Sequence, residues 1–286
     1  MSLTNVANPS DDGETAEISA HYANVARNVQ TAFGCRECCE GDPAQAGEAF
    51  SLYAKEVLEG IPREALAASR GCGDPVAKAN LAPGERVLDL GSGGGIDALI
   101  AARLVGSEGC VSGLDMTPDM IALAKRNAKT AGVGNVEFVE GDIEHVPFPD
   151  ASLDVVISNC VVNLVKDKQA VFSEIRRVLI PGGRLVVSDI VAFSPLPGQS
   201  GRPLSVITGC RRGITQVQNY REMLERCGFT RISIEPKTIY TIDVLREKAQ
   251  RKGHMSEFEE ALHFNVDSVC GSAIIRAFAP KGPAEC

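Results

Sequence analysis

Val87-Leu88-Asp89-Leu90-Gly91-Ser92-Gly93-Gly94-Gly95-Ile96 decides the fold. A short apolar run broken only by Asp89 passes directly into a glycine-rich turn, and a helix-compatible segment opens at Ile96. A strand that ends this way is where a doubly wound α/β sheet meets a nucleotide, because the glycines let the backbone approach the ligand. As the dinucleotide fingerprint the stretch fails, since Ile96 stands where the last glycine belongs.

Outward from that turn, short β-branched runs alternate with amphipathic segments, the pattern of a parallel sheet covered on both faces. Strands are expected at 86–90, 110–115, 135–140, 153–159 and 184–192. Helices fit 95–106, 118–131 and 167–179, the last stopped by Pro181-Gly182-Gly183. After a Gly/Pro/Ser-rich stretch beyond Pro195, a helix at 216–227 and strands at 230–239 and 272–279 complete the sheet, with 241–263 as a helical insertion. Upstream, Asp42-Pro43 opens a helical stretch to about Leu58, a second follows Pro62, and Gly71-Cys72-Gly73-Asp74-Pro75 is a tight turn leading into a short helix. The N-terminal residues read as a polar tail, 1–34, followed by a main domain, 35–240, and a C-terminal lobe, 241–286, that contributes the last strand.

Composition narrows the function classes. The 286 residues are 44% hydrophobic, enough for one α/β domain with decoration. Net charge is −8 and no Lys/Arg run exceeds a pair, so the footprint of a nucleic-acid binder is missing. No apolar run approaches spanning length and the start lacks the pattern of an export signal, so a cytoplasmic protein without membrane contact is expected, and a monomer. Ten cysteines then need explanation, because structural disulfides are rare in that compartment. About half can be packing residues, among them Cys110 and Cys227. The loop cluster Cys35-x-x-Cys38-Cys39 has the spacing of half a zinc site, without a matching second pair.

Read from Asp89, the spacing Asp89-x-Gly91-x-Gly93-x-Gly95 resembles the first motif of class I S-adenosylmethionine methyltransferases, which implies a Rossmann-like doubly wound sheet of that type. Asp89, Gly91, Ser92, Gly93 and Gly95 are then candidate cofactor contacts. Asp115 closes the next strand, where a carboxylate can accept both ribose hydroxyls. Met116 beside it would pack on adenine, and Asp142 and Ile143 after the third strand would flank the adenine edge. In this fold the end of the fourth strand, Ser158-Asn159-Cys160, faces the transferable methyl group, so Asn159 touches cofactor and Cys160 the acceptor.

Taken together, Gly71-Cys72-Gly73-Asp74-Pro75, the glycine motif with Asp97, Asp115-Met116-Thr117-Pro118, Ser158-Asn159-Cys160-Val161-Val162-Asn163-Leu164 and Gly209-Cys210 resemble the arsenite methyltransferases over residues 70 to 230. The resemblance implies that Cys72, Cys160 and Cys210 hold As(III), and that an N-terminal cysteine, among Cys35, Cys38 and Cys39, exchanges disulfides with thioredoxin or glutathione as reductant. The substrate would be arsenite or its thiol adducts, methylated for detoxification. Soft As(III) prefers thiolates, and its lone pair can attack the sulfonium methyl in line, which needs alignment rather than a general base. Arg211-Arg212-Gly213 after Cys210 departs from the small apolar residues of many relatives. Two other readings compete, since a fold does not imply a function: methylation of a small organic acceptor such as a quinone or phenol, which leaves the three cysteines unexplained as a set, and non-catalytic arsenic binding, which leaves the cofactor motif unused.

Overall fold

The computed structural model describes residues 13–33, 51–196 and 201–281. Its sheet contains β1 (Arg86–Leu90), β2 (Cys110–Asp115), β3 (Val136–Glu140), β4 (Leu153–Asn159), β5 (Leu179–Ala192), β6 (Thr215–Gln216), β7 (Thr230–Ile239) and β8 (Cys270–Phe278). The order is β3-β2-β1-β4-β5-β8-β7, with the short β6 alongside β5. Strands β1 to β5 run parallel in this path, and β8 enters antiparallel between β5 and β7. The chain moves outward from β1 to β3 and then returns to place β4 on the other side of β1. That reversal opens a crevice at the carboxyl ends of the strands, where ligands bind in such sheets.

Because successive strand residues point to opposite faces, the sheet carries two cores. Val87, Val155, Ile157, Val186 and Ile274 pack on one side with α2 (Lys55–Leu58), α4 (Val76–Ala79) and α5 (Ile96–Val105). Their neighbours Leu88, Val156, Leu185, Val187 and Ile275 pack on the other with α7 (Lys168–Val178) and α9 (Val217–Arg226). Phe172 and Tyr220, fully buried with ring centroids 5.2 Å apart, hold those two helices together. A third cluster joins α8 (Gly201–Thr208), α10 (Ile242–Lys252) and α11 (Met255–Ala261) over the ends of β5 and β8 through Leu204, Ile207, Leu245 and Phe258.

Two expectations change. The polar N-terminal tail contains a helix, α1 (Gly13–Phe33). Its apolar positions Ile18, Tyr22, Ala26, Val29 and Phe33 recur at helical spacing; Ile18 is buried, and Tyr22, Ala26, Val29 and Phe33 pack with Ala67 and Ala68 of α3 (Arg63–Ala68) and with Met120 and Leu123 of α6 (Pro118–Ala131). Burial of one stripe, not composition, orders this segment. The fifth strand starts at Leu179 rather than 184, running through Pro181-Gly182-Gly183. Leu179 pairs with Leu153 before a register shift, and the Gly182 N–H is taken by the Pro280 carbonyl, so the expected stop is instead an irregular strand start. The expected helix start at Asp42-Pro43 and the cluster Cys35, Cys38 and Cys39 lie outside the described residues.

Candidate functional site

Two pockets meet at the carboxyl ends of the strands. The first, with about 1100 Å³ of empty space, is built on the turn after β1. Leu114 of β2 accepts the N–H groups of Gly91 and Ser92 at 2.8 and 3.0 Å, which folds the turn over the neighbouring strand. Gly91 has φ +70°, and a Cβ there would collide with the Val161 side chain, so only glycine fits. Asp115 then locks the turn: its carboxylate accepts from Gly93 N–H and from Thr117 N–H, each at 2.9 Å.

Of the residues expected to contact a cofactor, Asp89, Gly91, Ser92, Gly93 and Asp115 line this pocket. So do Met116, Asp142, Ile143 and Asn159. Gly95 does not. It caps α5 with its back to Phe138 and Ala124, where a Cβ would strike the Phe138 ring, so this glycine serves helix–sheet packing. The pocket's charge is concentrated below its floor. Asp89 is 2% exposed, and burial raises its carboxyl well above the usual range, with Asp97 and Asp115 adding to the effect. Burial likewise pushes Asp97 up to about 7 against the hydrogen bonds from Asn159 and Tyr53, and raises Asp115. Buried Asp89 and Asp97 and half-buried Asp115 share this end of the sheet, and a cationic ligand beside them would favour their charged forms.

Sequence reading missed the roof and one wall. Thr15, Ile18 and Tyr22 of α1 close the pocket from above and Arg70 completes it, beside Asp97, which the sequence had marked as part of the glycine motif without a role at the pocket. The apolar spacing within α1 was the available signal. Nothing in the sequence around Tyr53 announced that its hydroxyl would donate to Asp97 Oδ1 at 2.9 Å.

The second pocket is larger, with about 2710 Å³ of empty space reaching open solvent. Cys72, Cys160 and Cys210 all line it, brought together from the turn after α3, the end of β4 and the end of α8. Cys72 and Cys160 are joined as a disulfide, Cα atoms 6.0 Å apart, while Cys210 is a free thiol. Cys160 has φ +61°, an uncommon conformation for a non-glycine residue, and its N–H is pinned to the Ser188 carbonyl of β5 at 2.8 Å. Cys210 is 4% exposed, and burial, with Asp189 nearby, pushes its thiol up to about 12. The Asn163 amide donates to Asp189 Oδ1 at 3.0 Å and lies 3.8 Å from Cys210 Sγ. Tyr22, Arg70, Gly71, Cys160 and Leu164 belong to both pockets, so Cys160 stands at the opening between them.

The other cysteines separate by environment. Cys227 packs partly buried, its sulfur accepting from Gln169 Nε2 at 2.7 Å. Cys270 is buried in β8. Cys110 is exposed at the start of β2 and fills no core, because the β2 residue that begins outside the sheet's cover carries its side chain into solvent. Arg212, two residues beyond Cys210, reaches α1: it pairs with Glu14 at 3.2 Å and donates to Thr15 Oγ1 at 2.9 Å. The unusual arginine thus ties the Cys210 loop to the roof of the first pocket. No helix among the described residues is long and apolar enough to cross a membrane.

A methyltransferase-domain family matches residues 81–228. The arsenite methyltransferase of Halobacterium salinarum is 40% identical over 79% of this chain and 60% of its own length, and that of Aquipseudomonas alcaligenes is 34% identical over 74% and 61%. The chain therefore spans about three fifths of these curated relatives. Among solved structures, the arsenic(III) S-adenosylmethionine methyltransferase of Chlamydomonas reinhardtii superimposes with a TM-score of 0.57 at 32% identity, covering 85% of this chain and 75% of that one.

Proposed function

The chain belongs to the arsenite methyltransferases within the methyltransferase-domain family, and from its two joined pockets we infer that it transfers a methyl group from S-adenosylmethionine to As(III) held by Cys72, Cys160 and Cys210. The observation that carries this reading is Cys160 at the opening between a pocket walled by buried acids and a cavity lined by all three cysteines.

The first pocket fits the cofactor. Asp89 Oδ2 and Ser92 Oγ are buried in its wall without a hydrogen-bond partner among the described residues, and a buried polar atom left unpaired is costly until a ligand meets it. Asp115 spends one lone pair of each oxygen on backbone N–H groups and keeps others for the ribose hydroxyls. Met116 and Ile143 offer apolar surface to adenine, and Asp142 an acceptor for its amino group. Burial holds the carboxyls of Asp89 and Asp97 above the usual range, and the ammonium and sulfonium of a bound cofactor would draw them back toward the charged form. When bound, S-adenosylmethionine supplies an electrophilic methyl carbon. Tyr22 and the rest of the α1 roof exclude water from that end.

On the acceptor side, three thiolates hold As(III) as a pyramid with its lone pair free to attack in line, so the residues act by alignment and no base is required. Cys72 and Cys160 must first be reduced, since a disulfide has no thiolate to offer. The same pair has a second use. Methylation takes the arsenic lone pair, and two electrons are needed to return the product to the trivalent state. Cys72 and Cys160 provide them by breaking their bonds to arsenic and closing into a disulfide, water or an external thiol taking the position left open on the trivalent product, and thioredoxin or glutathione reopens the disulfide. The partners of the cycle are then arsenite or its thiol adducts and a thiol reductant.

The test is to incubate the purified chain with S-adenosylmethionine, arsenite and a thiol reductant, and to separate arsenic species chromatographically with element-specific detection. Methylated arsenic is expected from the wild type and not from Cys160→Ser. Cofactor binding without methylated arsenic would transfer the reading to a small organic acceptor.

A further inference from the structure

One side chain in the wall of the first pocket also holds the Cys72 turn, which lines the second. Asn159 ends β4, and its Oδ1 accepts the N–H of Cys72 at 3.0 Å. Its Nδ2 faces three acceptors: the Gly73 carbonyl at 2.8 Å, Asp97 Oδ2 at 3.0 Å and the Tyr53 hydroxyl at 3.2 Å. An amide nitrogen has only two protons, so three acceptors compete for them. Tyr53, 5% exposed, is not short of a bond, since its own proton goes to the other oxygen of Asp97. It is therefore a second resting place for the Asn159 amide proton.

The surroundings leave this amide little room. A Cβ on Gly71 would lie 2.5 Å from Asn159 Nδ2, and one on Gly73 would strike the Ser188 hydroxyl. The Cys72 turn is thus pressed between Asn159 and β5, and its position follows that of the amide. Asp97 and Asn159 also line the donor pocket, so a ligand that engages Asp97 changes which acceptors the amide serves.

Resting on the reading of the two pockets given above, we propose that Asn159, with Tyr53 behind it, is a positioning pair that links the ligands energetically: a filled donor pocket redirects the Asn159 amide and sets the Cys72 turn for As(III). The link is reciprocal by thermodynamic necessity, so As(III) tightens the donor site by the same factor. Tyr53 does not line the donor pocket and acts only through Asp97 and Asn159.

Calorimetric titration of the reduced full chain with S-adenosylhomocysteine, with and without arsenite, tests the link. Wild type should bind S-adenosylhomocysteine about tenfold more tightly with arsenite present, within the usual range for coupled sites. Tyr53→Phe keeps the ring and removes the hydroxyl, and should reduce that factor to less than about twofold while each ligand still binds alone. Tyr53→Met, a second side chain without the hydroxyl and likewise outside both pockets, should do the same, which keeps the test sound should Tyr53→Phe fail to fold. Full coupling in either folded variant, or wild type that binds both ligands independently, overturns the proposal. Reduced wild type that binds S-adenosylhomocysteine but no arsenite overturns the acceptor reading itself, and the coupling with it.

Discussion

The donor pocket and the acceptor cavity open into each other yet are built in opposite ways. The donor pocket's floor comes from consecutive strand ends, residues 89, 91 to 94, 96 to 97, 115 to 117, 142 to 143 and 159, held by a hydrogen-bonded turn that the sheet register brings together. The acceptor cavity gathers Cys72, Cys160 and Cys210 from three separate loops, beside helices α8 and α10, which pack with α11 over the strand ends. One site is a property of the sheet. The other is a property of what has been added to it. Rigid, shared scaffolding for the cofactor and variable, loop-borne residues for the acceptor is how one fold hosts different acceptors.

The comparison breaks first at the cysteines. Cys210→Ser and Cys160→Ser should each lower arsenic methylation by roughly 100-fold or more, because alignment of the attacking atom carries the rate. Both should keep S-adenosylhomocysteine binding, measured by calorimetry, and loss of that binding would mean that the two halves are not separable.

A second measurement exploits the buried acids. Asp97 holds its proton to about pH 7 in the folded chain, far above the range of an unfolded carboxylate. Between about pH 4 and pH 7 the folded state then binds more protons than the unfolded one, so stability falls as pH rises through that window. The loss from this one group amounts to a few kcal/mol, roughly 1.4 per pH unit. Urea unfolding of the ligand-free chain across this range should give a shallower fall for Asp97→Asn than for wild type, and an equal slope would remove Asp97 from the account.

Smaller effects sharpen the boundary. Asp115→Asn loses charged acceptance in the donor pocket and should weaken S-adenosylhomocysteine by roughly 10- to 100-fold, the equivalent of about 1.5–3 kcal/mol. Arg212→Ala cuts the tie between the Cys210 loop and α1. Since Glu14 is half exposed the ion pair contributes about 1 kcal/mol or less, so donor affinity should fall only severalfold. Hydrogen exchange in residues 13–33 should rise with it, and unchanged exchange would show that apolar packing alone holds the roof.

Much of the sheet could be read directly, and for a local reason. Val87-Leu88-Asp89-Leu90, Val155-Val156-Ile157 and Leu185-Val186-Val187 are buried on both faces and so appear as unbroken apolar runs whatever their neighbours are. The glycine turn and Asp115 were legible because a tight turn and a strand-end carboxylate leave their mark within a few residues. The helix α1 was misread because its stripe is sparse, with only Ile18, Tyr22, Val25, Val29 and Phe33 as large apolar residues among polar ones, and its stability comes from α3 and α6 rather than from its own propensity. Gly95 was assigned to the cofactor because a glycine needed for packing against Phe138 looks the same in sequence as one needed by a ligand.

By itself, then, the sequence determined the parallel sheet, its glycine turn, the carboxylates at its strand ends and the identity of the three cysteines, since residue type and spacing along the chain encode all of these. Tertiary structure alone decided that Cys72 and Cys160 are bonded while Cys210 is a buried thiol, that α1 roofs the donor pocket, and that Tyr53 and Asp97 meet at Asn159. Those outcomes depend on distances through space and on burial, and neither is carried by any short stretch of the chain.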